Sequence, residues 1–146
     1  MMESVFYFDH FLKAQESHYD DVLLEIKAGR KTSHWIWYIF PIFSGLGKSN
    51  ISEYFAINSL SEATAFSEHE LLGARYLECV EAMIMHKKKS VRDVLGRDSW
   101  KFRASLTLFG RANQMSIQRT VIRECLRHFY EGRECNRTRK KIMYSD

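Results

Sequence analysis

The chain has 146 residues, of which 45% are hydrophobic and 27% are charged, and its formal net charge at pH 7 is +4. This length and composition suit one globular domain with its own core, and they exclude a disordered or low-complexity chain. The longest apolar run has nine residues and contains the single proline, Pro41, which is far short of the roughly 20 residues that a membrane helix needs.

The N-terminal segment MMESVFYFDHF lacks both a basic start and a long apolar middle. No signal peptide is therefore predicted, and a cytoplasmic location is expected. Cys79, Cys125 and Cys135 are odd in number and contain no CxxC pair, so neither a disulfide framework nor a zinc site is indicated. Cys79 and Cys125 fall on apolar helix faces, which is typical of small buried side chains. The chain has no metal-binding spacing and no cofactor motif, and we predict neither group.

Periodicity and capping residues predict helices along almost the whole chain. A short entry helix over residues 4–15 is followed by a second helix, which Ser17 caps and Gly29 ends. Later helix starts are indicated at Asn50, Ser59, Ser90, Asp98 and Ser116, with the longest helix after a break at residues 67–70. The prediction is an all-α, compact, single-domain globule of seven or eight helices. Its core covers residues 5–132, and a basic tail over residues 133–146 either adds one helical turn or frays.

The densest aromatic stretch is SHWIWYIFPIF, which begins at Ser33. Its alternation would suit a strand, but no second strand-like run exists to pair with it, so we predict a short helix that Ser33 caps and that ends before Pro41. Such a stretch either anchors the core or lines a pocket. Trp35 and Trp37 point about 200° apart on a helix, so one is expected in the core and the other beside a cleft.

Two further segments carry candidate ligand-binding residues. GLGKS resembles a phosphate loop, but Ile42 stands where the Walker motif needs a glycine, so Walker-type binding is excluded. The loop could still hold an anion, although the simpler interpretation is a turn followed by a helix start. In KFRAS, Lys101 and Ser105 share a helix face, where they either bind a phosphate or sugar or serve only as polar surface.

Together these segments resemble the small bacterial family known as domain of unknown function 1810. The resemblance rests on SHW-x-W-x-x-FP, GLGKS, EATAF, LLGARYLEC and KFRASLTLF in the family's order, from about Phe11 to Thr138. It implies a compact, wholly helical domain and brings no established activity. The chain departs from the family pattern at Ile42, where a glutamine is usual. A fainter similarity, through F-x-x-AQ and its following tyrosine, is to a family proposed to act on ADP-ribose derivatives, and it carries no site residues across.

The first functional hypothesis is a pocket formed by SHWIW, GLGKS and KFRAS that recognises a small anionic, nucleotide- or ADP-ribose-like ligand. His34 is the candidate acid or base for hydrolysis or transfer, although a histidine at a helix start also suits a structural role. The predicted ligand-binding residues are Lys31, Trp35, Trp37, Gly45, Gly47, Lys48, Ser49, Lys101 and Ser105.

The rival hypothesis is a module without catalysis that binds a protein or nucleic acid through its basic C-terminal region. Residues 111–146 carry nine Lys or Arg against four Asp or Glu, and such asymmetry can mark a surface for polyanions. A solvated helix and tail account for the same charges more simply, so nucleic-acid binding is not the expected role. The expected state of the chain is a monomer or a weak homodimer.

Overall fold

The computed structural model describes residues 6–113 and 116–145. The predicted helix start at Ser4 lies outside these residues. The α-helices are α1 (Asp9–Ala28), α2 (Ile36–Ile39), α3 (Asn50–Tyr54), α4 (Leu60–Glu68), α5 (Glu70–Ile84), α6 (Val91–Leu95), α7 (Ser99–Ala112), α8 (Ile117–Tyr130) and α9 (Asn136–Ser145), with a 3₁₀ turn at Gly96–Asp98 before α7. In the described ranges the chain forms no strand, only an isolated bridge between Phe43 and Ile57. The all-α prediction is confirmed.

Helix α1 is one continuous helix of 20 residues, so the predicted cap at Ser17 is wrong. Its buried residues are Phe11, Gln15, Tyr19, Val22 and Ile26. They recur every three or four positions without a break, and this continuous face outweighs the local capping pattern. Gly29 ends the helix as predicted: it has φ +82°, and its N–H donates to the carbonyls of Glu25 and Ile26.

Serine caps open four of the later helices. The hydroxyl oxygens of Ser49, Ser59, Ser90 and Ser116 each accept a bond from a backbone N–H three residues on. Three of these starts were predicted, whereas the first lies at Ser49 rather than at Asn50. Helix α2 begins at Ile36, not at the predicted Ser33, because the Ser33 side chain bonds to Glu25 instead.

The core is a single cluster of buried side chains, in which α4, α5, α7 and α8 pack against one another and α2 contacts α1 and α5. Phe40 is fully buried, with its ring centroid 4.5 Å from that of Phe102 and 5.7 Å from that of Tyr76. The Tyr76 and Phe109 centroids are also 4.5 Å apart. Rings at these separations pack closely and bury large apolar areas. Most of the aromatic stretch therefore belongs to the core.

The basic C-terminal region is helical, not frayed. Helix α9 packs against α7, with Thr138 fully buried and Ile142 against the core. Arg103 donates to the backbone carbonyls of Arg133 and Glu134 at 2.7 and 3.1 Å, which fixes the turn before α9. None of the described helices is long and apolar enough to cross a membrane.

Candidate functional site

A carboxylate at the end of α1 organises the entry to the aromatic stretch. Glu25 accepts hydrogen bonds from the backbone N–H groups of Thr32 and Ser33 at 2.7 and 3.0 Å, and from the Ser33 hydroxyl at 2.6 Å. The indole N–H of Trp35 donates to the same carboxylate at 2.8 Å. Trp35 is 1% exposed, so this predicted ligand-binding residue is a core residue.

The hydrogen bonds hold Glu25 in its ionised form. Partial burial would raise the pKa of this carboxyl, but the donors from Ser33, Trp35 and Thr32 outweigh burial and lower the pKa to about 2. All of these donors are neutral. Glu25 therefore fixes the loop between α1 and α2, and its negative charge is spread over four hydrogen bonds.

A second carboxylate, Asp98, joins two of the predicted lysines. Lys31 and Lys101 each place Nζ 2.9 Å from a different oxygen of Asp98. Burial would raise the pKa of Asp98, yet the two ammonium groups hold it below its usual value. The Lys101 Nζ also lies 3.8 Å from the centroid of the Trp37 ring, at cation–π distance. We call Lys31, Trp37, Asp98 and Lys101 the Asp98 cluster.

The two tryptophans of the stretch face different surroundings, and one lies in the core as predicted; that the other borders a ligand cleft stays a prediction. Trp35 is buried, whereas Trp37 is partly exposed beside Lys101. Gly47 lies next to Trp37, since a Cβ at this position would be 3.6 Å from the indole ring and only 2.5 Å from Ser52. Only a glycine permits this close approach of the loop to α3.

Two of the other predicted loop residues, Gly45 and Ser49, form hydrogen bonds within the protein. The N–H of Gly45 donates to Glu53 at 3.0 Å, and the Ser49 hydroxyl caps α3. Lys48 is exposed. Ser105 is fully buried and lies 3.0 Å from the Tyr76 hydroxyl, so it faces the core and not the surface. A ligand at the surface cannot reach it.

His34 is exposed in the loop between α1 and α2. Its catalytic role stays a prediction. Cys79 and Cys125 are buried, as their apolar surroundings predicted, and burial raises the pKa of both thiols, for Cys79 to about 12. Such thiols stay protonated and are poor nucleophiles. Across the described residues, no group of three or more His, Cys, Asp or Glu side chains is placed to hold a metal ion.

A cleft of about 630 Å³ lies between the loop at residues 43–46 and α9, and we call it the C-terminal cleft. Its lining residues are Phe43, Ser44, Leu46, Arg137, Lys140, Lys141, Tyr144 and Ser145. Arg137 donates to the Leu46 carbonyl at 3.2 Å and lies 5.8 Å from the centroid of Trp100. Lys101 lies at the same distance from this ring. Trp100 therefore links the cleft to the Asp98 cluster.

Sequence reasoning missed the cleft residues of α9. Arg137, Lys141 and Tyr144 are spaced by four and three residues, which places them on one helix face. That spacing was the available signal. The contact that closes the cleft joins Arg137 to Leu46 across 91 residues, and no local pattern indicates it.

Comparisons with known proteins agree with this architecture. The structure resembles the crystal structure of the conserved hypothetical protein Rv1873 from Mycobacterium tuberculosis, with a TM-score of 0.91 and 35% sequence identity over 96% of this chain and 99% of that chain. No curated protein matches. A family model described as protein of unknown function (DUF1810) matches residues 5–142. Because this match covers nearly the whole chain, the protein belongs to the DUF1810 family, as the resemblance of its motifs implied.

Proposed function

We propose that the protein binds a small organic anion with a flat ring, of the nucleotide or ADP-ribose class, in the C-terminal cleft. One observation carries the proposal: the cleft's described lining residues include three cations, Arg137, Lys140 and Lys141, and no carboxylate. Its volume of about 630 Å³ lies within the range that small-molecule sites occupy, roughly 300–1,000 Å³.

The cations are arranged to receive a negatively charged group. Arg137 is oriented by its bond to the Leu46 carbonyl, and this leaves other N–H groups of its guanidinium to donate. Lys140 and Lys141 are exposed at the rim. Arginine forks bind phosphate and carboxylate in pairs of parallel bonds, while lysines add point charge. A phosphate or carboxylate at this rim would meet both kinds of donor.

The apolar part of the cleft suits a ring. Phe43 and Leu46 are buried in its wall, whereas Tyr144 is 83% exposed at its edge. An exposed aromatic side chain beside cations is a common contact for planar ligands, because it offers a large apolar face at low entropic cost. Trp100, which is 40% exposed, extends this aromatic surface toward Lys101.

The test compares three probes by isothermal titration calorimetry at fixed ionic strength: AMP, adenosine and ribose 5-phosphate. We expect AMP to bind at least about tenfold more tightly than either of the others, because only AMP supplies both ring and phosphate. ADP-ribose is titrated in parallel. Tryptophan fluorescence should change on binding, since Trp100 lies beside Arg137.

Lys141→Gln is the diagnostic variant. It removes one exposed cation from the cleft and should weaken AMP binding about tenfold. Lys88→Gln is the matched control, because this lysine is also exposed but lies outside the cleft. Equal affinities for the two variants, or no binding of any probe to the wild type, would overturn the proposal.

A further inference from the structure

A second cleft, larger than the C-terminal cleft, lies between α7, α8 and the turn at residues 131–134. Its volume is about 860 Å³, and four arginines line it: Arg111, Arg119, Arg123 and Arg127. None of them belongs to the C-terminal cleft or to the Asp98 cluster. We call this site the arginine cleft.

Three of the arginines form a stripe along α8. Arg119, Arg123 and Arg127 recur every four residues, so they share one face and span about 12 Å of helix. Like charges at this spacing repel one another and destabilise a helix. Glu124 lies 4.0 Å from Arg127, at the far end of the stripe. The Arg123 side chain is exposed and forms no ion pair with a described residue.

The carboxylates of the opposite wall are already paired. Arg111 holds Glu134 by two bonds, of 2.9 and 2.7 Å, and Arg139 approaches the same carboxylate at 3.8 Å. The bonds from Arg111 keep the pKa of Glu134 below its usual value. This carboxylate is therefore ionised at neutral pH and bound to Arg111. Glu131 lies 3.6 Å from Arg133.

The balance of charge is therefore positive. Among the described residues, four guanidinium groups and three carboxylates line the arginine cleft, and two further arginines pair with these acids. The cationic groups are Arg111, Arg119, Arg123, Arg127, Arg133 and Arg139, and the acidic ones are Glu124, Glu131 and Glu134. Concentrated positive charge in a concave site attracts a multiply charged anion.

We propose that the arginine cleft is a binding site for a short oligophosphate, either free or carried by a small molecule. A chain of phosphates places several negative charges along a line, and this matches a stripe of guanidinium groups better than a single phosphate does. The ligand lies along α8, across Arg123, with Arg111 and Glu134 forming the opposite wall. The inference is independent of the function proposed for the C-terminal cleft.

Isothermal titration calorimetry with inorganic tripolyphosphate tests the inference at fixed ionic strength. We expect one molecule to bind per chain, at least tenfold more tightly than orthophosphate. Arg123→Gln should weaken binding about tenfold, and adding Arg127→Gln should weaken it further. Since both side chains are exposed, thermal melting should show that the variants fold as the wild type does.

Two variants serve as controls. Arg92→Gln removes an exposed arginine of α6 and should leave the affinity for tripolyphosphate unchanged. Lys141→Gln should also leave it unchanged, and this separates the arginine cleft from the C-terminal cleft. Equal loss in Arg92→Gln and Arg123→Gln, equal affinity for orthophosphate, or no binding to the wild type would overturn the inference. Tighter binding of a single-stranded oligonucleotide would overturn it as well, in favour of a polymer.

Discussion

Glu25 and Asp98 hold the two sides of the aromatic stretch, and they do so in different ways. Glu25 accepts bonds from neutral donors, including the indole of the buried Trp35. Asp98 instead binds two lysines, one of which lies over the partly exposed Trp37. Within the described part of the chain, the first arrangement contains no cation that bonds to the carboxylate, although Lys31 Nζ lies 5.2 Å from the centroid of the Trp35 ring. The second gathers positive charge beside an aromatic surface.

This comparison separates a buried from a partly exposed tryptophan within one short segment. The neutral donors around Glu25 stabilise its carboxylate but leave its one negative charge uncompensated. The two lysines around Asp98 instead leave one positive charge in excess, on side chains that are only 9% and 15% exposed. A dense aromatic motif can therefore be buried on one side and lie beside charged groups on the other.

The largest expected effect distinguishes the two tryptophans. Trp35→Ala should lower the free energy of unfolding by about 3–5 kcal/mol, because it empties a fully enclosed volume and leaves Glu25 without one of its donors. Trp37→Ala should cost only about 1 kcal/mol, since this ring is partly exposed. Urea unfolding followed by circular dichroism measures both. Similar losses in the two variants would show that the division between core and surface is wrong.

Much of the fold could be predicted from local patterns. Gly29 and the caps at Ser59, Ser90 and Ser116 follow from short motifs whose partners lie within four residues. The false cap at Ser17 shows the limit of such motifs, because a continuous apolar face overrides a capping pattern.

The candidate site was harder to predict, because its contacts join distant parts of the chain. Lys31 and Lys101 were both identified, but the carboxylate between them, Asp98, appeared only as a helix start. Ser105 shares a helix with Lys101, yet it faces Tyr76 in the core. Which face of a helix is buried depends on the helices that pack against it, and the periodicity of a single segment does not identify those helices. For the same reason, the contact between Arg137 and the Leu46 carbonyl was not predicted.

The second-largest expected effect concerns Asp98 and its two lysines. Asp98→Asn should lower the free energy of unfolding by about 2–3 kcal/mol, because Lys31 and Lys101 lose their shared partner. Their side chains are only 9% and 15% exposed, so water compensates them poorly. Chemical denaturation provides the measurement. Asp21→Asn, at an exposed position of α1, is the control and should change stability little. An equal, small loss in both variants would mean that the Asp98 cluster does not stabilise the fold.

The smallest expected effect concerns Glu25, and it is a change in how the free energy of unfolding depends on pH. The pKa of Glu25 is about 2 in the folded protein, against an ordinary value of 4.5. A depressed folded-state pKa stabilises the fold above the unfolded value, and this contribution is lost as the pH falls from about 4.5 toward 2. Because Glu25 is partly exposed, screening by solvent limits this contribution to about 1–2 kcal/mol.

Glu25→Gln should therefore lower the free energy of unfolding at pH 7 and flatten its decline between pH 4.5 and 2. The glutamine retains an oxygen that can accept the Trp35 and Thr32 bonds, but it carries no charge to strengthen them. Some decline should persist, since the pKa values of Asp98 and Glu134 are also lowered. Glu16→Gln, an exposed change on the same helix, should retain the wild-type slope. If Glu25→Gln also retains the wild-type slope, the neutral donors do not stabilise the ionised carboxylate of Glu25. The proposed difference between Glu25 and Asp98 would then be wrong.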